Sequence, residues 1–366
     1  MHSVPHQGSS NRQNDSIEMP AWIEALREMD RHHVPDLAIR PPGVERELRS
    51  ADDLGLPSTM GSADPSVSVI VPTYRDDAYL QDALQCVGAQ TYRDLEVVIV
   101  DSGGSAWVDQ LVQDRAWIRS ITTEPQGVSV ARNDGIEAAH GDYVAFLDVD
   151  DYWHPDKLEA QLAIMGESHP VSFTGYVLVN YWLDEQPTVS FKDVEDLSGE
   201  QADAGVVRRT IDAHTSTLVC RTDILPDRPF DESLTNFEDV LFAFERFREH
   251  EPGHVMRPLA VRRLRPDSLA DRTGEYEKSY QRIVVLDQIA AQHPDLAEDA
   301  ARSKANEIYR VGLYDIDRNP AAARAHFRRA FSHRPLSSLG CYLLTLLPVD
   351  REELLKRGAR FAHRLR

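Results

Sequence analysis

Three cysteines in 366 residues, Cys86, Cys220 and Cys341, are too few and too widely spaced for a disulfide framework or a metal knot. They read as reduced, buried, small apolar side chains. Positive charge is also short: 40 Lys and Arg against 60 Asp and Glu leave a formal charge of -20. That balance argues against nucleic acid as a partner, because phosphate binding draws on Lys and Arg. No apolar run reaches membrane-spanning length, and the N-terminus lacks the basic-then-apolar pattern of a secretory leader. The expectation is a soluble, cytoplasmic chain, at most peripheral to a membrane. Two nucleotide signatures are missing as well. Gly103-Gly104 is not part of a Gly-x-Gly-x-x-Gly fingerprint, and no P-loop is present.

What is present falls into three parts. Residues 1–65 are rich in Ser, Pro, Asn, Asp and Gly, which predicts a mostly flexible extension. One short helix is expected near 20–30, with Trp22, Ile23, Leu26 and Met29 on one face. From 66 to 270 strand and helix patterns alternate. Val67–Pro72, Leu95–Asp101, Ile118–Ile121 and Tyr143–Leu147 read as strands, with helices over Asp77–Ala89, Trp107–Arg115, Val130–Ala139 and Lys157–Met165. This predicts an α/β domain with a doubly wound, mostly parallel sheet and helices on both faces. Val171–Trp182 and His214–Arg221 read as further strands, and 183–205 as an acidic, mobile loop. From 271 to 366 the pattern is helical only.

The apolar strand Tyr143–Leu147 ends in three acids within four positions, Asp148, Asp150 and Asp151. Open α/β sheets bind ligands at the carboxyl ends of their strands. Asp148 and Asp150 leave the same face if the strand continues, and Asp151 points elsewhere. Such carboxylates repel one another, and a bound divalent cation of the magnesium or manganese kind removes that cost. A solvated acidic turn is the competing reading. A second acidic pair, Glu238-Asp239, opens a helix carrying Leu241, Phe242, Phe244 and Phe247. Acids there complement the helix dipole, so capping competes with chemistry.

Taken in order, the motifs are Val71-Pro72-Thr73-Tyr74, Gln90-Thr91-Tyr92, Val100-Asp101-Ser102, Ala131-Arg132-Asn133 and Gly141-Asp142-Tyr143. Phe146-Leu147-Asp148-Val149-Asp150-Asp151, Trp153-His154-Pro155 and Phe237-Glu238-Asp239 follow. The series closely resembles the family-two inverting glycosyltransferases of the GT-A fold, over roughly residues 66–265. The resemblance implies a nucleotide-sugar donor, most often a UDP-sugar, bound with Mg2+ or Mn2+, and a hydroxyl of a glycan or lipid-linked glycan as acceptor. It implies Thr73, Tyr74 and Asp101 at the base and ribose, Arg132 near the diphosphate or sugar, and Asp148 at ribose or sugar hydroxyls. Asp150 would hold the metal, with Asp151 as helper at the donor. Asp239 would be the catalytic base, and Glu238 would position it or touch the acceptor. Salt bridging on a helix surface is the competing role for Arg132.

Processive members of the family carry Gln-x-x-Arg-Trp after the base, and this chain does not, which points to transfer of a single sugar. Arg262, Arg263 and Arg265 lie in the corresponding region as a diphosphate clamp or as a solvated basic stretch. His154 is expected to be structural, and His214 to be a core histidine or to face the acceptor. Two other functions remain open: transfer to a polyprenyl phosphate, whose anionic oxygen needs no base, and a catalytically silent nucleotide-sugar-binding subunit. Leu336–Pro348 is apolar but too short to span a bilayer, and a tail with six basic and three acidic side chains follows. Residues 336–366 therefore suit either peripheral contact with an anionic membrane or packing on their own domain.

Overall fold

The structure, a computed structural model, describes residues 48, 53–62, 64–75, 77–113, 115–180, 188–192, 201–264 and 274–346. These residues lie in one compact unit, Pro41–Arg366. The helix expected near 20–30, Arg265 and the tail after 346 fall outside them.

Three βα steps and a fourth strand build the first half. They are β1 (Val67–Thr73), α1 (Asp77–Gly88), β2 (Leu95–Asp101), α2 (Ala106–Gln113), β3 (Ile118–Thr122), α3 (Val128–Ala138) and β4 (Tyr143–Phe146). β1 and β2 are buried along their whole length, which explains why they are runs of Val and Ile rather than alternating patterns. The strands pair in parallel in the order β3-β2-β1-β4. Strand order reverses between β1 and β4, and such a switch point opens a crevice at the carboxyl edge.

The second half contains β5 (Tyr152–Trp153), α4 (Lys157–Leu162), β6 (Val171–Asn180), β7 (Thr188–Lys192), α5 (Ala202–Arg208), β8 (Val219–Arg221), α6 (Glu238–Glu249) and β9 (Gly253–Leu264). β8 runs antiparallel to β4 and carries the sheet on through β6 and β9 to β5, giving nine strands among the described residues. Two expectations change here. The stretch read as one strand from His214 is a 3-10 turn over Thr215–Thr217 before β8, because Thr217 bonds back to the His214 carbonyl through both its amide and its hydroxyl. The segment read as a loop contains β7, paired antiparallel with β6, and the start of α5, whose Ala204, Val206 and Val207 enter the core. Leu54, Leu56 and Met60, read as part of a flexible extension, are buried. Gln85 Nε2 donates to the Leu54 carbonyl at 3.0 Å and Trp117 Nε1 to that of Pro57 at 2.9 Å.

The C-terminal helices are α7 (Glu275–Gln292), α8 (Ala297–Asp315), α9 (Pro320–Ala330) and α10 (Pro335–Leu344). The main core does not stop at the sheet: Ile70, Val98 and Phe146 share one cluster with Val285, Leu286, Ile289, Leu296 and Ala300. Phe230 and Phe242 stack at 4.2 Å in its centre, with Phe146 edge-on to both. Ile316, Ala323, Phe327 and Cys341 form a second, smaller cluster.

Gly135 lets α3 lie against the sheet. A Cβ there would stand 2.5 Å from Ile70 Cγ2 and 3.0 Å from Val100 Cγ2. Overpacking costs about 1–3 kcal/mol, and the better helix propensity of alanine offsets roughly 1 kcal/mol of it. Gly135→Ala should therefore lower the urea midpoint with the m-value unchanged. A midpoint at or above wild type would contradict the close approach.

Candidate active site

β1 and β2 end in register, Thr73 beside Asp101. Thr73 is buried, and its Oγ1 has no hydrogen-bond partner. Tyr74 is exposed, with the Arg75 guanidinium 5.3 Å over its ring. Asp101 turns into its own loop: Oδ1 accepts the amides of Gly103 (2.8 Å) and Gly104 (3.0 Å), and Oδ2 that of Ser105 (2.6 Å). Its carboxylate shapes the turn that leads into α2, a role that the motif alone did not disclose. Arg75 takes a left-handed backbone at φ 57, an unusual state for arginine that sits on this lip of the cleft.

β4 stops at Phe146, so Leu147–Asp151 is a turn, and the strand alternation expected for its acids does not apply. Asp148 accepts from Arg132 at 2.7 Å and from Thr215 Oγ1 at 3.2 Å, and its amide donates to Ser216 Oγ at 3.1 Å. Burial raises its pKa most, but the charge and hydrogen bond of Arg132, together with the Arg262 charge, more than offset it and hold Asp148 below the usual carboxylate range. Asp151 is buried and accepts from Ser216 Oγ at 2.6 Å and from the Arg263 amide at 3.2 Å. Burial, then the charges of Asp150 and Asp148, push it well above the usual range. Asp150 is half-buried in the same turn.

His214 is buried, edge-on to Tyr176 at 4.7 Å, with Nδ1 3.9 Å from Asp151 Oδ2 and no hydrogen-bond partner on Nε2. Burial, then the Arg262 charge, press its pKa down to about 3, so the imidazole is neutral. Asp148, Asp151 and His214 can each offer a ligand atom within 4.8 Å of the others. The sequence reading put Asp150 on the metal with Asp151 as helper, whereas this geometry groups Asp151 with Asp148 and a histidine. His154 is buried and accepts the Asp156 amide on Nδ1 at 3.0 Å.

The second acidic pair opens α6 behind Phe237, which is also left-handed at φ 66. Glu238 is buried and accepts from Arg132 Nη1 at 2.8 Å. Asp239 is half-buried, and burial, then the Glu238 carboxylate, push it up to about 6. Arg132 is no surface residue. It lies buried over the Phe230 ring at 5.3 Å and bonds Asp148 on one side and Glu238 on the other. One guanidinium fork thus ties the end of β4 to the start of α6, geometry that favours arginine over lysine.

The two arginines at the end of β9 point to different surroundings. Arg263 is buried; Nε donates to the Asp150 carbonyl, Nη1 to Tyr152 Oη at 2.6 Å, and its guanidinium stacks 4.0 Å over the Tyr152 ring. It braces the acidic turn from within, instead of reaching out as a donor clamp. Arg262 is half-buried; burial opposes its charge, but Tyr176, Asp239, Asp151 and Asp212 around it raise its pKa. Thr215 and Ser216, whose hydroxyls hold Asp148 and Asp151, were missed because their stretch read as a strand.

A doubly wound half-sheet with an acidic turn at its switch point and a second acidic pair on a facing helix defines the GT-A fold of nucleotide-sugar transferases. Residues 68–213 match the model of glycosyl transferase family 2, so this part of the chain is a domain of that kind. The chain is 41% identical over 121 residues to glycosyltransferase TuaG of Bacillus subtilis (strain 168), a stretch covering 31% of this chain and 48% of TuaG. It is 36% identical over 109 residues to the amylovoran biosynthesis glycosyltransferase AmsB of Erwinia amylovora, covering 28% of this chain and 36% of AmsB. The chain thus spans at most about half the length of either relative. The S. aureus TarS 1-349 structure in complex with UDP-GlcNAc superposes with a TM-score of 0.57 at 17% identity, over 80% of this chain and 92% of that one.

Proposed function

We propose that this chain transfers one sugar from a UDP-sugar to a hydroxyl of a glycan or lipid-linked acceptor, with inversion at the anomeric carbon. The observation that carries this reading is Arg132, which holds Asp148 and Glu238 together so that Asp239 stands beside them at the mouth of the sheet. The UDP-GlcNAc in TarS and the shared fold support a UDP-sugar, for which exposed Tyr74 offers a stacking face and Thr73 an unpartnered hydroxyl.

The residues present fit a divalent cation. Their donor set is oxygen-rich with one neutral imidazole, and Asp151 records a repulsion from Asp148 and Asp150 that a cation would relieve. Asp148, Asp151 and His214, with Asp150 beside them, would hold Mg2+ or Mn2+. An ion held there would supply positive charge to offset that developing on the departing diphosphate.

The remaining work belongs to side chains. Asp239 accepts the proton of the acceptor hydroxyl as its oxygen bonds to the anomeric carbon. Glu238, fixed by Arg132, keeps the first turn of α6 in place. Arg262 lends a cation to the same mouth. One displacement from the face opposite the leaving group inverts the centre without a covalent intermediate.

The test is UDP release from a panel of UDP-sugars with Mn2+, then with EDTA. Turnover should fall at least about a hundredfold on chelation and return with Mn2+, as expected for several kcal/mol of charge stabilisation. Product NMR should show the inverted anomer. Undiminished turnover in EDTA would remove the metal from the scheme. Donor-induced thermal stabilisation with no UDP release over a broad acceptor panel would favour the silent binding subunit.

A further inference from the structure

The last described helix is inside out. α10 seats Cys341 in the small cluster and buries Ser338, with Thr345 buried at its end, while Leu336 is 85% exposed, Leu339 45%, Leu343 51% and Leu346 57%. Steps of three, four and three place these leucines on one stripe. A surface helix of a folded domain normally does the reverse, and a contiguous exposed apolar face marks an interaction surface.

The sequence that leads into and through that stripe is rich in charge of one sign. Residues 318–349 contain five arginines and no acid. Among the described residues no carboxylate pairs with Arg324, Arg328 or Arg329, and Arg328 lies 5.7 Å over the ring of Tyr342, the neighbour of Leu343. Residues 318–366 hold eleven basic and three acidic side chains, a net +8, which leaves -28 for residues 1–317 out of the total -20. Charge is therefore strongly uneven along the sequence. Leucines flanked by arginines match the boundary between acyl chains and anionic headgroups, and the acidic remainder would be repelled by that surface. Pairing two such faces across a two-fold axis would set like charges against each other, which disfavours a symmetric dimer here. No described helix is long and apolar enough to cross a bilayer, so the contact is one of lying on the surface.

We propose that the leucine face of α10 and its flanking arginines dock the chain on an anionic lipid bilayer. This does not rest on the transferase reading, since its test measures binding alone. The full chain is sedimented with vesicles of equal parts phosphatidylglycerol and phosphatidylcholine, and with vesicles of phosphatidylcholine only, at low and high salt. Wild type should bind the anionic vesicles alone and release in high salt. Arg324→Gln, Arg328→Gln and Arg329→Gln together should weaken binding by about a hundredfold. Leu339→Ser, Leu343→Ser and Leu346→Ser together should weaken it at least about tenfold, without loss of thermal stability because these side chains are already exposed. The proposal is overturned if wild type stays in the supernatant, if either triple variant sediments like wild type, or if neutral vesicles bind equally well. It is also overturned if light scattering shows a dimer that the serine variant converts to monomer, which would make this face a contact between copies.

Discussion

Asp239→Asn is expected to slow sugar transfer by about 10²- to 10⁴-fold, the usual contribution of a positioned general base. Donor binding, read as stabilisation by UDP with Mn2+, should stay as in wild type, because Asn keeps the shape and the Val240 amide contact. The pH profile separates this role from a structural one. Burial and Glu238 raise Asp239 to about 6, and only its ionised form can accept a proton. Wild-type kcat/KM should thus climb through about pH 6 and level off above it, whereas the residual activity of the variant should lack that limb. Stability moves the other way. A carboxyl raised in the folded state costs stability when ionised, so the cost is full above about 6 and absent below its ordinary 3.8. Asp239→Asn should therefore melt higher than wild type at pH 8, with the gap closing as pH falls through about 6. If the variant keeps most of its transfer activity, the acceptor oxygen needs no base, and a polyprenyl phosphate becomes the better reading.

Arg132→Met should cost about 3–5 kcal/mol of stability, the penalty for stranding charges that had a buried partner. Two carboxylates lose the same cation: Glu238, with only 9% of its side chain exposed, and Asp148, with 30%. The urea midpoint reads the loss directly. Arg132→Lys tests the bridge itself, since a single ammonium can satisfy one acid but not both in the forked geometry of Arg132. It should fold with transfer reduced, whereas in Arg132→Met, which removes the charge that lowers the pKa of Asp239, the pH limb should move upward. A midpoint within about 1 kcal/mol of wild type for Arg132→Met would mean the ion pairs contribute no more than surface pairs do.

Much of the frame was legible from local signals. Val67–Thr73 and Leu95–Asp101 read as buried strands because a parallel sheet covered on both faces demands unbroken apolar runs. The acids of Asp148–Asp151 stood out for the same reason: they interrupt such a run. What escaped depends on partners far away in the chain. The end of β4 at Phe146, two residues before the first acid, is fixed by pairing with β1 and β8, so Asp151 could turn inward to Ser216. Strand alternation guarantees that Arg262 and Arg263 diverge, but not which one faces the core. That is set by pairing with β6, where the register shifts around Gly175. α5 was hidden because acids crowd the segment ahead of it, while its apolar face finds its match in distant α6 and α8.

α8 belongs to two packing clusters at once. Ala300 near its start sits in the core shared with the sheet, while Tyr309 and Leu313 toward its end lean on the small cluster that seats α10. The helix is continuous over 19 residues, about 28 Å at the usual rise. It behaves as a gantry of set length rather than a tether. If α10 rests on lipid and Asp239 is the base, as proposed, the fold would fix the height of the cleft above the headgroups, and the reach of an anchored acceptor would select which hydroxyl arrives at Asp239.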